Sequence, residues 1–404
     1  MKNSNLVILV VALLAAAFVA GGAWAAEKSP VKMVGTAILS GKIGAIKETG
    51  WGLSDGAKDV VQNKMLKDRD FVLILEDGQY EVPLSVNIFN RVLAAEPKNE
   101  LLFHMGWQTG VLHSIAEKVA ETHIVCVDGS MSTDLFTDEV QKKYPYYFSC
   151  GVTYGDQCGS LLKFIKSDLH KTQDKPKVAF IYIDAAAGQD PLTKLKEYAQ
   201  KMDIDLVMVE PVTFETTDFA PTLIKIRNAK ADYVILWSWS VPVSTRFIKA
   251  ARKYLPKTEI LGLNYMAWEI FFSTLEKDFD GVYVLSPYPR PSETKNPFVA
   301  RLAAMAAKEG HEVKIWDLYL QGYLMSLMCA EGAKRADAAG NLTREGVRGA
   351  LENLKNWDVF GMYDGKTVDF STHKLPLARM LKADFNTKSF QPVTDWFLVE
   401  EYLK

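Results

Sequence analysis

Short apolar runs alternate with longer amphipathic segments along the chain from Val31 onward. Apolar runs of strand length are "VKMVGTAIL", "FVLILED", "ELLFHMG" and "HIVCVDG", and segments with helical periodicity such as "SDGAKDVVQNKML" separate them. Strands that alternate with helices of this length are typical of a parallel sheet with helices on both faces. The pattern therefore predicts a first doubly wound α/β unit.

The same alternation begins again after "YPYYFSCGVTYGD". Its strand-like runs are "KVAFIYI", "DLVMVEPV", "DYVILWSW", "EILGLN" and "GVYVLSPY". They predict a second doubly wound unit. The last part differs, because three helical segments precede turn-rich residues and short strand-like runs. We expect this last part to pack back onto the first two units.

The first residues are typical of an export signal. Lys2 precedes a long apolar run, and Ala23 and Ala25 supply the small residues that a signal peptidase needs. The run ends in Gly21 and Gly22, which disfavours a membrane anchor, and no cysteine stands at the cleavage point to carry a lipid. We therefore expect residues 1–25 to be a cleaved signal peptide and the mature protein to be free in the periplasm.

Length and charge narrow the class of protein. The chain has 404 residues and a formal net charge of −2, which suits two domains and gives no sign of nucleic acid or an anionic membrane as a partner. Four cysteines allow three complete disulfide pairings, and buried free thiols are equally consistent with the sequence. Their spacing is not that of a zinc site. The cysteines are Cys126, Cys150, Cys158 and Cys329.

Motifs for catalysis and cofactors are missing from the sequence. "DGKTVDF" has Phe360 where a phosphate-binding loop needs its first glycine, and the glycines of "LSGKIGAIKETGWG" do not have dinucleotide-binding spacing. No G-x-S-x-G or H-E-x-x-H motif is present. We expect no cofactor and no metal, and binding is favoured over catalysis, although a triad built from distant loops stays an alternative.

Polar and aromatic residues recur where the predicted strands end. Ligands of open α/β sheets bind beyond the carboxyl ends of the strands, and hydroxyl and backbone N–H groups at helix starts bind carboxylates. Any single serine or threonine there is equally explained as a helix cap, but the recurrence in both units favours a cleft. The candidate residues are Trp107, Gln108, Thr109, Ser130, Ser132, Trp239, Asn264 and Tyr265.

Two tryptophans of the run "LWSWS" share one face of a strand. Trp237 still belongs to the predicted strand, so we assign it to the core. Trp239 lies beyond the strand, where a side chain reaches the cleft. We therefore expect Trp239, and not Trp237, to contact a ligand.

The ordered series of segments resembles a known family, the periplasmic binding proteins of branched-chain amino acid ABC transporters, which have the type I fold. The resemblance is carried by "VGTAILSG", "GWGLSDGAKDVV", "FHMGWQTGVLHSIAEKV", "VCVDGSMSTDLF", "YPYYFSCGVTYGDQCGSLLKFI" and "DGVYVLSPYPRP". It implies two α/β lobes joined by three crossovers, near Cys150, Ser286 and Phe360. The first lobe would comprise residues 30–149 and 287–358, and the second lobe residues 152–285 and 359–404.

The resemblance also implies a ligand site. The loop whose hydroxyls bind a carboxylate falls at residues 107–109, and a second contact loop falls at residues 129–132. An aromatic lid residue of the first lobe falls near Trp51, and the aromatic residue that closes from the second lobe falls at Trp239.

One position departs from the family pattern. Members that bind α-amino acids have an acidic residue where this chain has Asn264, followed by Tyr265. A buried ammonium group without a negative partner costs several kcal/mol, so Asn264 argues against a zwitterion unless Asp128 or Glu269 replaces the missing acid. We expect a carboxylate with an apolar or aromatic body, and a branched-chain or neutral amino acid stays the alternative.

These features together predict a solute-binding protein that performs no chemistry. The expected partners are a small carboxylate-bearing solute and the membrane permease of an ABC importer, and we expect a monomer. A periplasmic sensor subunit that docks on a receptor is the second interpretation. An exported enzyme of the same fold is the third.

Overall fold

Two β-sheets form the centre of the computed structural model, which describes residues 28–41 and 46–404. The predicted signal peptide lies outside the described residues. The first sheet is parallel throughout and has the strand order β2-β1-β3-β4-β5. Its strands are β1 (Val31–Ala37), β2 (Phe71–Asp77), β3 (Leu101–Gly106), β4 (Val125–Asp128) and β5 (Tyr147–Ser149).

The second sheet has the order β12-β11-β10-β9-β8-β6-β7, and β13 pairs with β11. The strands from β6 to β10 are parallel, whereas β11 is antiparallel to β10, β12 and β13. The strands are β6 (Lys177–Ile183), β7 (Asp205–Val212), β8 (Tyr233–Trp237), β9 (Glu259–Gly262), β10 (Tyr283–Ser286), β11 (Leu377–Asp384), β12 (Ser389–Pro392) and β13 (Phe397–Leu398).

Helices follow most strands, and their apolar sides pack on the sheets. The longest one, α12, has almost every residue of its first five turns buried, so it is a core helix and not a surface helix. The helices are α1 (Lys47–Gln62), α2 (Val82–Ala95), α3 (Thr109–Thr122), α4 (Asp138–Lys143), α5 (Tyr154–Phe164), α6 (Ala186–Gln189), α7 (Leu192–Lys201), α8 (Ala220–Asn228), α9 (Val241–Tyr254), α10 (Ile270–Thr274), α11 (Pro297–Lys308), α12 (Trp316–Ala338), α13 (Arg344–Glu352) and α14 (Val399–Tyr402).

This architecture confirms the predicted α/β class with two doubly wound parallel units. The chain passes from the first sheet to the second after β5, returns after β10, and passes again before β11. Before the last passage, Lys374 forms a parallel bridge to Ser149 at the end of β5. The residue limits of the two lobes remain a prediction.

Helices α1 and α12 cross so closely that their backbones are in contact, because each helix has a glycine at the crossing point. A Cβ atom on Gly322 would lie 2.3 Å from the carbonyl oxygen of Thr49, and one on Gly52 would lie 2.1 Å from that of Tyr319. No side chain fits at such distances. Helix α12 belongs to the last part of the chain, and this crossing packs it against α1, the helix between β1 and β2 of the first sheet.

Arg290, in the passage that follows β10, pairs with carboxylates of both lobes. Its guanidinium bonds to Asp317 of α12 in the first lobe, and its Nε donates to Glu269 Oε1 of the second lobe at 3.1 Å. Burial raises the pKa of both carboxyl groups, and Arg290 offsets part of that rise. The ion pairs join the lobes at the hinge.

The four cysteines are free and buried. Of the two possibilities that the sequence left open, the structure therefore has free thiols and not disulfides. Burial raises the pKa of Cys150 to about 12, which keeps the thiol protonated and unreactive. In the part of the chain that the structure describes, no helix is long and apolar enough to cross a membrane.

Substituting Gly322 with alanine should destabilise the protein, because the added methyl group collides with the backbone of α1. We expect a loss of about 1–3 kcal/mol in the free energy of unfolding, measured in urea. Gly349 in α13 is the matched control, since a Cβ there meets nothing within 4 Å. G349A should stabilise by about 0.5–1 kcal/mol. Equal stability of the two variants would contradict the close crossing.

Candidate functional site

A small cavity lies between the two lobes, where the carboxyl ends of both sheets face each other. Its volume is about 10 Å³, room for about one water molecule. Any larger molecule enters only when the lobes separate or side chains move. The lining residues are Tyr80, Trp107, Thr109, Tyr154, Ala187, Trp239 and Tyr265.

The first lobe contributes the turn between β3 and α3. Trp107 directly follows β3, and its indole Nε1 donates to Gln321 Oε1 of α12 at 3.0 Å. Thr109 begins α3 and is buried, and its hydroxyl has no hydrogen-bond partner among the described residues. Because the first N–H groups of a helix also lack partners within the helix, this turn offers several donors to an acidic group.

The second lobe contributes Trp239, which lies just past the end of β8. Its ring packs against Trp237 at 5.3 Å and edge-on against Phe214 at 5.8 Å, measured between ring centroids. Its indole N–H is buried and makes no hydrogen bond of good geometry within the described chain. Trp239 presents an apolar wall, and its N–H lies close enough to the Tyr80 hydroxyl to oppose the burial-driven rise in the pKa of that phenol.

Trp237 has a different environment. It is fully buried, its Nε1 donates to the carbonyl of Ala187 at 2.7 Å, and its ring stacks on Tyr265 at 5.5 Å. It does not line the cavity. Every polar atom of Trp237 is thus satisfied within the second lobe, as expected of a core residue.

Tyr265 follows β9 and reaches across to the first lobe. Its hydroxyl donates to the carbonyl of Gly129 at 3.2 Å, and its ring lies 6.0 Å from that of Trp107. Burial raises the pKa of Tyr265, so the phenol stays neutral. The residue both walls the cavity and joins the lobes.

Unpartnered donors cluster around this aromatic region. Among the described residues, buried side-chain groups without a hydrogen-bond partner include the indole N–H of Trp268, the amide nitrogen of Gln321 and both amide atoms of Asn264. Buried polar atoms are usually paired. Of these groups, Trp268 packs on Tyr265 and Gln321 accepts from Trp107, so both adjoin the cavity lining. Asn264 itself is fully buried and its backbone N–H donates to Gln157.

Ser130 is occupied by the aspartate two residues before it. The backbone N–H and the hydroxyl of Ser130 both bond to the carboxyl group of Asp128, which is fully buried at the end of β4. Burial raises the pKa of Asp128 to about 7, and the bonds from Ser130 oppose this rise. The Ser130 hydroxyl is therefore turned to its own loop and does not line the cavity.

Ser132 forms a contact between the lobes. Its hydroxyl donates to Asp190 Oδ2 at 2.6 Å, and the backbone N–H of Thr133 donates to Asp190 Oδ1 at 2.6 Å. Asp190 belongs to the second lobe and is buried. We call Ser132, Thr133 and Asp190 the interlobe latch.

A histidine next to the latch completes the residue types of a hydrolytic triad, but not its hydrogen-bond order. His113 Nε2 lies 3.1 Å from the hydroxyl of Ser132. Nucleophilic catalysis requires the serine hydroxyl to donate its proton to the imidazole. Here the hydroxyl donates to the carboxylate of Asp190 instead. His113, Asp134 and Asp190 also hold ligand atoms within 4.8 Å of one another. Two of the three are exposed, and such groups are common without a metal.

Two further predicted residues lie outside the cavity lining. The amide nitrogen of Gln108 donates to the carbonyl of Tyr80 at 3.0 Å. Trp51 stacks on His311 with 4.5 Å between ring centroids. The structure therefore brings four of the predicted residues together around the cavity: Trp107, Thr109, Trp239 and Tyr265.

Sequence reasoning missed three lining residues, Tyr80, Tyr154 and Ala187. Tyr80 comes three residues after β2, and Ala187 comes four residues after β6. Both therefore follow a strand end, which is the feature that identified Trp107, Thr109, Trp239 and Tyr265 as candidates. Tyr154 begins α5, after the first passage between the sheets. β5 ends five residues before it, at Ser149, so Tyr154 also follows a strand end, but at a greater distance than the others.

Known proteins resemble this chain over nearly its whole length. A family model for periplasmic binding proteins matches residues 30–399. A branched chain amino acid ABC transporter protein from Thermus thermophilus with bound valine is 19% identical, with a TM-score of 0.81 over 93% of this chain and 99% of that one. A fatty acid ABC transporter substrate-binding protein from Thermomonospora curvata is 17% identical, with a TM-score of 0.76 over 93% and 94%.

A third solved structure is the solute binding protein of an ABC transporter from Rhodopseudomonas palustris HaA2, in complex with p-hydroxybenzoic acid. It is 16% identical, with a TM-score of 0.75 over 92% of this chain and 98% of that one. No curated protein matches the chain. At such identities the likeness to solved structures shows the fold alone, and it confirms the predicted type I binding-protein fold. Because the family model spans almost all of the described residues, the chain belongs to the periplasmic binding protein family.

Proposed function

We propose that this protein captures a small carboxylate-bearing solute with an aromatic or apolar body and delivers it to the permease of an ABC importer. The supporting observation is the cavity between the lobes, which is lined by aromatic rings from both lobes and by the unpartnered hydroxyl of Thr109. Closure of the lobes buries the solute, which in turn favours the closed form. The protein binds and releases the solute without converting it.

The character of the lining supports a solute without an ammonium group. None of the seven lining residues carries a charge, because burial raises the pKa of Tyr80, Tyr154 and Tyr265 and keeps them neutral. Asn264 is neutral as well. An ammonium group buried there would lack a negative partner, at a cost of several kcal/mol.

The two carboxylates that might replace the missing acid are already engaged. Asp128 accepts two hydrogen bonds from Ser130, and burial raises its pKa. Glu269 shares the guanidinium of Arg290 with Asp317. Aromatic walls with neutral donors fit a carboxylate on a ring or chain better than a zwitterion.

The proposed function also requires that the protein be exported to the periplasm. Cleavage after the predicted signal peptide, residues 1–25, would release the protein into the periplasm, where the permease's outer face is accessible. The mature protein would act as a monomer, since one chain supplies both lobes of the site.

A thermal-shift screen tests the solute class. Aromatic and aliphatic carboxylic acids should raise the melting temperature, because a ligand at 100 times its dissociation constant stabilises the native state by about 2.7 kcal/mol. Leucine and valine should produce little shift, since the site has no acid for their ammonium group. A strong shift with leucine or valine and none with the acids would contradict our use of Asn264.

Replacing Trp239 with alanine should weaken binding of the strongest ligand from that screen, because it removes a wall and a donor of the cavity. Isothermal titration calorimetry measures the loss. W237A is the matched control, since Trp237 ends β8 two residues before Trp239. It should cost about 3–5 kcal/mol in the free energy of unfolding, because a fully buried indole is removed, while W239A costs less. The proposal is wrong if the two variants lose affinity and stability in the same proportion.

Removing the latch should weaken binding without touching the cavity lining. In D190A the two bonds to Ser132 and Thr133 are lost, and bonds to a charged group contribute about 1.5–3 kcal/mol each. We expect the dissociation constant to rise at least tenfold, measured by calorimetry. D218A is the control, since Asp218 accepts one backbone N–H within the second lobe only. An unchanged dissociation constant in D190A would show that the latch does not stabilise the closed form.

A further inference from the structure

We infer that Tyr80 is the first-lobe residue that closes over the solute, and that Gln108 is its positioning residue and not a ligand contact. The inference rests on the proposed function for the site itself. It assigns a role to one residue that the sequence pattern did not indicate and changes the role of another.

Tyr80 is held in an unfavourable backbone conformation. Gln79 and Tyr80 have φ values of 51° and 61°, in the left-handed region that non-glycine residues rarely adopt. Such a conformation persists only when its surroundings determine it. Here Asp77 Oδ1 accepts the N–H of Gln79 at 3.0 Å, and the carbonyl of Gly78 accepts the N–H of Glu81 at 2.8 Å.

Gln108 supplies the remaining constraint. Its amide nitrogen donates to the carbonyl of Tyr80 at 3.0 Å. Residue 108 is extended, with φ −111° and ψ 109°, so its side chain points away from those of Trp107 and Thr109. Those two neighbours line the cavity and Gln108 does not. Its amide is thus directed at the turn that carries Tyr80.

The ring of Tyr80 meets aromatic rings of both lobes. Its centroid lies 6.3 Å from that of Trp107 in the first lobe and 6.2 Å from that of Phe214 in the second lobe. Phe214 in turn packs on Trp239. Edge-on aromatic contacts are favourable, so Tyr80 and Trp239 complete one wall of the cavity only when the lobes meet, with Phe214 packed against both of them. The solute leaves only after these contacts separate.

The first arm of the test needs no ligand. Hydrogen exchange followed by mass spectrometry compares the mature protein with Q108A and with Q141A, a control that loses a similar bond from a glutamine amide to the carbonyl of Leu135. Q108A should speed exchange in the peptide that contains residues 78–84 by about two- to tenfold, and Q141A should not. Unchanged exchange in Q108A would overturn the positioning role.

The second arm is a double-mutant cycle with benzoate, 4-hydroxybenzoate and phenylacetate as probes. Q108A should weaken binding about two- to tenfold, mainly through a faster dissociation rate, but should have no effect in the Y80A background. If Q108A weakens binding equally in both backgrounds, Gln108 contacts the solute directly and the inference is wrong.

The two arms separate this inference from the proposed function. If none of the probes binds, the proposed solute class fails. The exchange arm then still decides whether Gln108 holds the turn that carries Tyr80.

Discussion

The buried guanidinium of Arg290 is the charge that joins the two lobes at the hinge. It lies between Asp317 of one lobe and Glu269 of the other. Removing one partner from such a pair is strongly unfavourable, because the remaining charge stays buried. The lobes therefore stay joined at this point, and the other contacts between them are each weaker.

Those weaker contacts explain how a solute controls the closed form. The latch at Asp190, the hydroxyl of Tyr265 on the carbonyl of Gly129, and the aromatic contacts of Tyr80 all link the lobes. A neutral hydrogen bond such as that of Tyr265 contributes about 0.5–1.5 kcal/mol, and each bond to the Asp190 carboxylate about 1.5–3 kcal/mol. A solute that satisfies the unpartnered donors between the lobes adds free energy of the same size, so it can determine which form prevails.

The sequence predicts the fold well because each strand and helix has its own periodicity. It also separates Trp237 from Trp239, since a strand's end can be read from local residues. It does not predict the partners of Ser130 and Ser132. A serine after a strand is the same residue whether it binds a solute, an adjacent aspartate, or Asp190 of the other lobe.

Long-range contacts explain the other differences as well. Gln108 stands between two residues that line the cavity, and only the position of the β2–α2 turn shows that its amide serves Tyr80. Tyr154 reaches the cavity because the chain passes between sheets just before α5. The sequence could not decide between disulfides and free buried thiols, because it does not give the distances between the cysteines in the folded protein.

Under the proposed function, the neutral character of the site suits release of the solute. An arginine would bind a carboxylate strongly, but without the solute it would be a buried charge with no partner, which costs several kcal/mol. An unpartnered neutral donor such as the hydroxyl of Thr109 costs about 1–3 kcal/mol. A buried charge is tolerated at the hinge because Arg290 stays paired with Asp317 and Glu269 whether or not solute is bound. In the cavity, neutral donors limit the difference in stability between the loaded and the empty protein, and so favour transfer of the solute to a permease.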